Sequence, residues 1–326
     1  MVEGQNIPTP ATDEEHIIHA LNIHGTFFER KCQNIVHQAK AWEIQETNYP
    51  VTYGGVKSNL DIWAMRGKNT NQHLVLPIEC KKNNPDFINW IFFRQPSHRP
   101  DYSHIQTIEV PRQHDSTGTW EAYRKLQRLH HDLRIADEAR ETKGDYQKIK
   151  QHDRTRTSNA AITDAATQIA IATQALMQQE QSMLEEISRP SSNGIGRPSY
   201  NQLFIFPTIV TTAKLFMCEF QEADVDLSTG VIALDKPMLV PCPYLIFDYA
   251  VPPALQLVPK AIHLDYTMDT LKQLARMPIF IVHSEAFPVF LERLSKPVLH
   301  GATFDGPWYE LHLKPGENEE TKSAHN

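Results

Sequence analysis

Four cysteines are spread through 326 residues and none stands in a C-x-x-C pair, so a zinc ribbon has no support. Cys32, Cys80, Cys218 and Cys242 each sit beside apolar or helical sequence and read as reduced, buried thiols. No histidine falls in an H-E-x-x-H pattern, no glycine-rich phosphate loop is present and no G-x-S-x-G occurs. Zincin, ATP-dependent and serine-hydrolase chemistries therefore lack their signatures. Excess positive charge is also missing: the net charge is -7, so no global basic field draws in nucleic acid. A local basic groove or a cation held by an acidic site remains open. No apolar run approaches the length of a bilayer span. The first residues lack the basic start and apolar stretch of a secretory signal. A cytoplasmic protein with no membrane contact is the expectation.

Hydrophobic residues make up 40% of the chain, enough for a sizeable core in one elaborated domain or two closely packed ones. Residues 1–12 and 314–326 are polar and read as flexible tails around a domain over 13–313. Ile17, Ile18 and Leu21, then Phe28, Ile35, Val36 and Ala39, recur at helical spacing between Glu14 and Trp42. Thr12 or Asp13 can cap that helix, and Gly25 can divide it. Asn48, Pro50, Gly54 and Gly55 mark a turn-rich hairpin region. Asn59–Arg66 and His73–Lys81 read as strands joined by a polar turn, with Pro77 pointing to an edge position or a bulge. Asn83–Arg94 reads as a short helix, Pro96–Ser116 as a loop, Trp120–Lys150 as a charged helix and Asn159–Ile187 as a stronger one. Together they predict a helical insertion over about 96–190. Beyond the break at Ser188–Ser199, strands are expected at Leu203–Ala213, Leu215–Phe220, Tyr244–Val251 and Ile279–His283. A turn is expected at Asp226–Ile232 and a helix at Ser284–Leu294. The order is that of an α/β fold.

Chemistry concentrates on the two adjoining strands. Side chains alternate faces along a strand, so Glu79 and Lys81 share one face while Ile78 and Cys80 take the other. Asp61 lies between Leu60 and Ile62 and is expected to project away from both. A hairpin brings Asp61 near Glu79, and two neighbouring carboxylates call for something positive between them. Oxygen ligands suit magnesium, with manganese able to substitute. The backbone carbonyl of Cys80 is a further candidate ligand, and Glu29 on the first helix a further acidic or orienting group. A metal there polarises a phosphoryl oxygen and acidifies water. Lys81 would hold or deprotonate that water and offset charge in the transition state.

Glu29 on a first helix, then S-N-L-D-I-W-A, then L-V-L-P-I-E-C-K-K, resembles the PD-(D/E)XK, or restriction-endonuclease-like, nuclease superfamily. The resemblance covers residues from about 14 to 94. The chain departs from the family's name motif in having Leu60 where proline would precede Asp61. The resemblance implies a mixed central sheet flanked by helices, and magnesium-dependent cleavage of nucleic acid. The Asn159–Ile187 helix and the Leu203–Phe220 strands could complete that core. DNA is expected over RNA because most of the family acts on DNA, in defence or in repair. Related nucleases often carry a polar residue on the helix behind the metal-binding strands, which points to Gln168. Double-strand cutters of this fold often pair two sites, which leaves a homodimer open.

Arg154 and Arg156 are candidates for a patch facing the substrate. Arg124, Lys125, Arg128, Arg134 and Arg140 are interleaved with acidic residues and read as an ion-paired surface helix. Trp63 could stack on a base but reads better as a core or rim aromatic. His16 and His19, and the adjacent His130 and His131, read as solvated helix faces. The rival readings are a catalytically silent protein of the same fold that binds nucleic acid or acts as a scaffold, and an unrelated metal-dependent hydrolase built on the histidines.

Overall fold

The computed structural model describes residues 12–66, 72–83, 88–96, 103–109, 123–129, 133–142, 157–187, 202–233, 235–255 and 275–294. The tails at 1–11 and 314–326, His130, His131, Arg154, Arg156 and the 188–199 break lie outside them.

Helix α1 (Asp13–His24) and helix α2 (Thr26–Gln38) meet at Gly25, whose φ of 80° ends one helix and starts the next. Thr12 caps α1: its hydroxyl accepts from Glu15 N–H while the Glu15 carboxylate accepts from Thr12 N–H. Strands β1 (Glu43–Tyr53), β2 (Val56–Arg66) and β3 (Gln72–Lys81) then form an antiparallel meander. The turn between β1 and β2 uses only Gly54 and Gly55, both at positive φ, so Asn48 and Pro50 belong to the strand and not to the turn.

The region between β3 and the long helix corrects the expected helical insertion. It holds strands β4 (Asn89–Arg94), β5 (Ser103–Glu109), β6 (Tyr123–Leu129), β7 (Ile135–Thr142) and the two-residue β8 (Thr157–Ser158). In place of the short helix expected at Asn83–Arg94, Trp90, Ile91 and Phe92 are consecutive and all buried. That is the signature of a strand covered on both faces, which a short apolar run does not separate from helix. In place of the charged helix over Trp120–Lys150, β7 buries Ala139 and Glu141 in alternation, and β6 borders β5. Arg140 does pair with Glu138, but on a strand. Part of the expected 96–116 loop is β5.

Helix α3 (Ala160–Ile187) follows, with Ile162, Ala165, Ala166, Ile169, Leu176 and Met177 in one buried stripe. Strands β9 (Gln202–Ile205), β10 (Thr208–Thr211), β11 (Lys214–Glu219), β12 (Met238–Pro241), β13 (Tyr244–Ala250) and β14 (Arg276–His283) and helix α4 (Phe287–Leu294) complete the described chain. β9, β10, β11, β13, β14 and α4 answer to the expected apolar strands and last helix, with the Leu203–Ala213 run divided in two at Phe206–Pro207; β12 is not among those expected. The expected turn at Asp226 is closed by the Asp226 carboxylate accepting from the N–H groups of Ser228 and Thr229.

All fourteen strands belong to one mixed sheet. β9 and β10 lie parallel to β3 in one continuous register, Val75 opposite Ile205 and Ile78 opposite Thr208. Pro77 is therefore on an inner strand, not an edge, level with the Phe206–Pro207 break between β9 and β10. Phe206 N–H donates to the Val75 carbonyl at 2.9 Å, and the next bond back is one that proline cannot make. The Thr208 hydroxyl donates to the Phe206 carbonyl instead, at 3.0 Å. At this break the sheet forks: β9 pairs on with β5, and β10 with β14. The second branch runs β10, β14, β13, β7, β4, β11. Because β10 continues into β11 through a two-residue bend, this branch curls back on itself.

Two apolar layers cover the sheet. Helix α3 packs across β1, β2 and β3 on one face. Helices α2 and α4 bury Cys32, Val36, Phe287, Phe290 and Leu291 on the other, and the Trp42 indole N–H ties the layers' edge to the Leu291 carbonyl at 3.1 Å. Among the described residues no helix is long and apolar enough to cross a membrane.

Candidate functional site

The end of β3 carries the site. Ile78 and Cys80 are buried in the α2 layer, whereas Glu79 and Lys81 turn towards α3. Lys81 Nζ stands 2.8 Å from Glu79 Oε1 and donates to Gln168 Oε1 at 2.7 Å. One helix turn of α3 thus fixes the ammonium from above while the strand supplies its counter-ion. Glu79 is only 3% exposed, and its second oxygen, Oε2, is buried with no hydrogen-bond partner. A buried carboxylate oxygen left in that condition is costly unless a ligand completes it.

Asp61 comes from β2, where the antiparallel ladder with β3 stops. Ile62 still pairs with Ile78, and one step further Asp61 stands level with Glu79. The ladder bond is replaced by a side chain: Asp61 Oδ2 accepts from Cys80 N–H at 2.7 Å. N–H and C=O of one strand residue face the same edge, so the Cys80 carbonyl opens towards Asp61 too. The Cys80 thiol does not. It turns to Cys32 on the opposite face, and that contact, together with burial, pushes it well up, so sulfur is no ligand here. All four cysteines are free and buried, as expected.

The three acidic groups share one field. Burial pushes Glu79 up to about 7, Asp61 adds to the rise, and Lys81 opposes it. Burial also raises Asp61, against the pull of the Cys80 N–H and of Lys81. Glu29, half-buried on α2, is raised by burial and then by Asp61. Glu29 in turn adds a small rise to Glu79, so α2 sets its carboxylate within the electrostatic reach of the pair.

Among the described residues no three His, Cys, Asp or Glu side chains converge in a ready metal cluster. Magnesium does not need one: it keeps several waters and is commonly held by one or two carboxylates. The partnerless Glu79 Oε2, the Asp61 carboxylate and the Cys80 carbonyl make a donor set of hard oxygens that fits such an ion.

The structure therefore brings together Asp61, Glu79, Lys81, Gln168, Glu29 and the Cys80 backbone. Arg154 and Arg156 lie outside the described residues, and so do the paired histidines. Arg124, expected on a surface helix, is instead half-buried on β6, donating to Gln174 at 3.3 Å and Gln181 at 3.0 Å of α3. Trp63 is packed against the α3 layer, its ring centroid 5.2 Å from that of Tyr49, which makes it a core aromatic. Two neighbours escaped sequence reading. Thr212 accepts from Asn83 N–H at 3.0 Å and bonds the Asn83 side chain, clasping the chain just after Lys81. An N-terminal clasp comes from Lys82, which donates to the Asn22 carbonyl at the end of α1. Neither contact leaves a sequence signal, because each joins residues far apart in the chain. No family model, curated protein or solved structure matches the chain.

Proposed function

We propose that the protein is a magnesium-dependent nuclease that hydrolyses phosphodiester bonds of DNA, with its site at Asp61, Glu79 and Lys81. The observation that carries this reading is the buried Glu79 oxygen without a partner, set beside a second carboxylate and under a lysine fixed by Gln168. The order of elements supports a restriction-endonuclease-like core: helix α2, the β1–β3 meander, helix α3 across it, and β9 with β10 parallel to β3.

Asp61 and Glu79, with the Cys80 carbonyl, would hold the cation. Bound there, it supplies Lewis acidity at the phosphoryl oxygen and acidity at water. Lys81 is placed to offset the negative charge that grows on the phosphoryl group in the transition state. Glu79 and Gln168 hold its ammonium from two sides, so little reorientation is needed as the reaction proceeds. Glu29 borders the same field and would orient water at its edge. An open hollow of about 440 Å³ on the β1–β2 hairpin is lined by Pro50, Thr52, Lys57 and Asn59 among others. Lys57 is exposed there and would take a backbone phosphate.

The test is cleavage of plasmid DNA in magnesium or manganese by wild type, Glu79→Ala and Lys81→Ala. Cleavage by wild type and by neither variant supports the reading. Cleavage that survives both changes removes this site from the chemistry. Failure of wild type to bind manganese at all, followed by melting temperature, overturns the metal site itself.

A further inference from the structure

We infer that Asn48 is a positioning residue for Asp61: its left-handed backbone breaks the facing alternation of the β1–β2 pair, without shifting its register, and turns the Asp61 carboxylate onto β3. Asn48 has a φ of 51°, and it is the one non-glycine residue with positive φ among those described. In the β1–β2 register it stands opposite Asp61. Thr47 pairs with Ile62 and Tyr49 with Leu60 on either side, but Asn48 and Asp61 do not pair.

Both strands change face at this point. Leu60 belongs to the layer under α3, with Tyr49 and Val51 beside it, whereas Ile62 belongs to the layer under α2. Residues two apart on a regular strand share a face, so alternation is interrupted at Asp61. Trp63, three residues after Leu60, is back on the α3 side against Tyr49. One residue has thus been taken out of alternation on each strand, and these are Asn48 and Asp61. Had alternation continued from Leu60, Asp61 would point into the apolar layer under α2. The break in alternation re-aims it along the sheet plane, where it meets the Cys80 N–H.

Asparagine is among the few residues other than glycine that take positive φ at modest cost, and branched side chains are the worst suited. The Asn48 side chain is exposed, so substitution there removes no core packing and acts through the backbone. The consequence for metal affinity rests on the nuclease reading, but the positioning of Asp61 does not.

Amide hydrogen exchange in metal-free protein separates the two. Glycine at this position (Asn48→Gly) should keep protection at the Cys80 amide. Asn48→Val should lower it about tenfold, the factor a left-handed branched residue implies, as Asp61→Ala should also do. Protection at Leu76 and Ile246, in the middle of the sheet, should stay as in wild type. If Asn48→Val lowers those as well, Asn48→Ala is read by the same criterion. Cys80 protection unchanged in the valine variant, or in the alanine variant where that is the one read, overturns the inference. Manganese titration of the same proteins then reports on the site. A loss of affinity parallel to the loss of Cys80 protection supports both proposals. Absence of manganese binding in wild type, with the exchange result as expected, removes the nuclease reading and leaves the positioning role standing.

Discussion

Asp248 and Glu79 are carboxylates of one sheet, each beside a cation, and they end differently. Arg276 of β14 closes on Asp248 of β13, donating from Nε to Oδ2 at 2.5 Å and from Nη2 to the same residue's backbone carbonyl at 2.5 Å. The guanidinium fork satisfies side chain and main chain together. Glu79 meets one oxygen's worth of Lys81 and is left with Oε2 bare, next to a second carboxylate of the same sign. The first pair ties two strands together, and its charges are spent. The second keeps an open valence in a buried place, which costs stability and is useful only when something else binds.

The widest gap between the two pairs should be in catalysis. If the proposed nuclease activity holds, Glu79→Ala, which removes a cation ligand, and Lys81→Ala, which removes a transition-state charge partner, should each lower DNA cleavage by about 10²- to 10³-fold. Arg276→Ala should leave the cleavage rate per folded molecule unchanged. A supercoiled-plasmid nicking assay reads all three.

The next effect is on pH. The folded-state value of Glu79, about 7, lies above its ordinary 4.5, so between those values the folded protein binds more protons than the unfolded chain. Stability without metal is then full below about 4.5 and falls as pH rises to 7. At roughly 1.4 kcal/mol per unit, that amounts to about 3 kcal/mol. Asp61 and Glu29, also raised, act in the same direction. Glu79→Gln should flatten much of this slope in urea melts with chelator present. Added manganese should restore wild-type stability at pH 7 to 8 and leave Glu79→Gln unmoved. A wild-type stability that rises from pH 4.5 to 7 in chelator would contradict the open-valence account.

Breaking the closed pair should cost less. Arg276→Ala removes the guanidinium fork from a mostly buried Asp248, for a loss of roughly 2 kcal/mol by denaturant titration. The smallest effect is expected at Gln168→Ala. It leaves Lys81 its carboxylate but removes its second anchor, so kcat should fall about tenfold with KM little changed.

Much of the site could be read along the chain because its parts are close in sequence. Glu79 and Lys81 are two apart on one strand, and Asp61 is one hairpin away. Gln168 was reached only through the resemblance, since nothing local links α3 to the end of β3. Asn48 read as a turn residue because asparagine and a nearby proline favour turns. Its place in mid-strand follows from the pairing of Thr47 with Ile62 and of Tyr49 with Leu60 on either side of it. The insertion was misread for a related reason. Arg124, Lys125 and Arg128 alternate with polar and apolar residues in a way that suits a helix face or a strand, and only pairing with β5 decides between them.

By itself the sequence determined the capped first helices, the β2–β3 hairpin, the long apolar helix and the face shared by Glu79 and Lys81. These depend on period, caps and turns that act within a few residues. Tertiary structure alone decided that β4, β5, β6 and β7 enter the sheet as strands and that the sheet forks where Pro77 and Pro207 lie level. It also decided that Asp61 answers to Asn48 and Cys80, and that one oxygen of Glu79 is left without a partner. Each of these is a pairing between distant segments, and pairing energy exists only once both segments are in place.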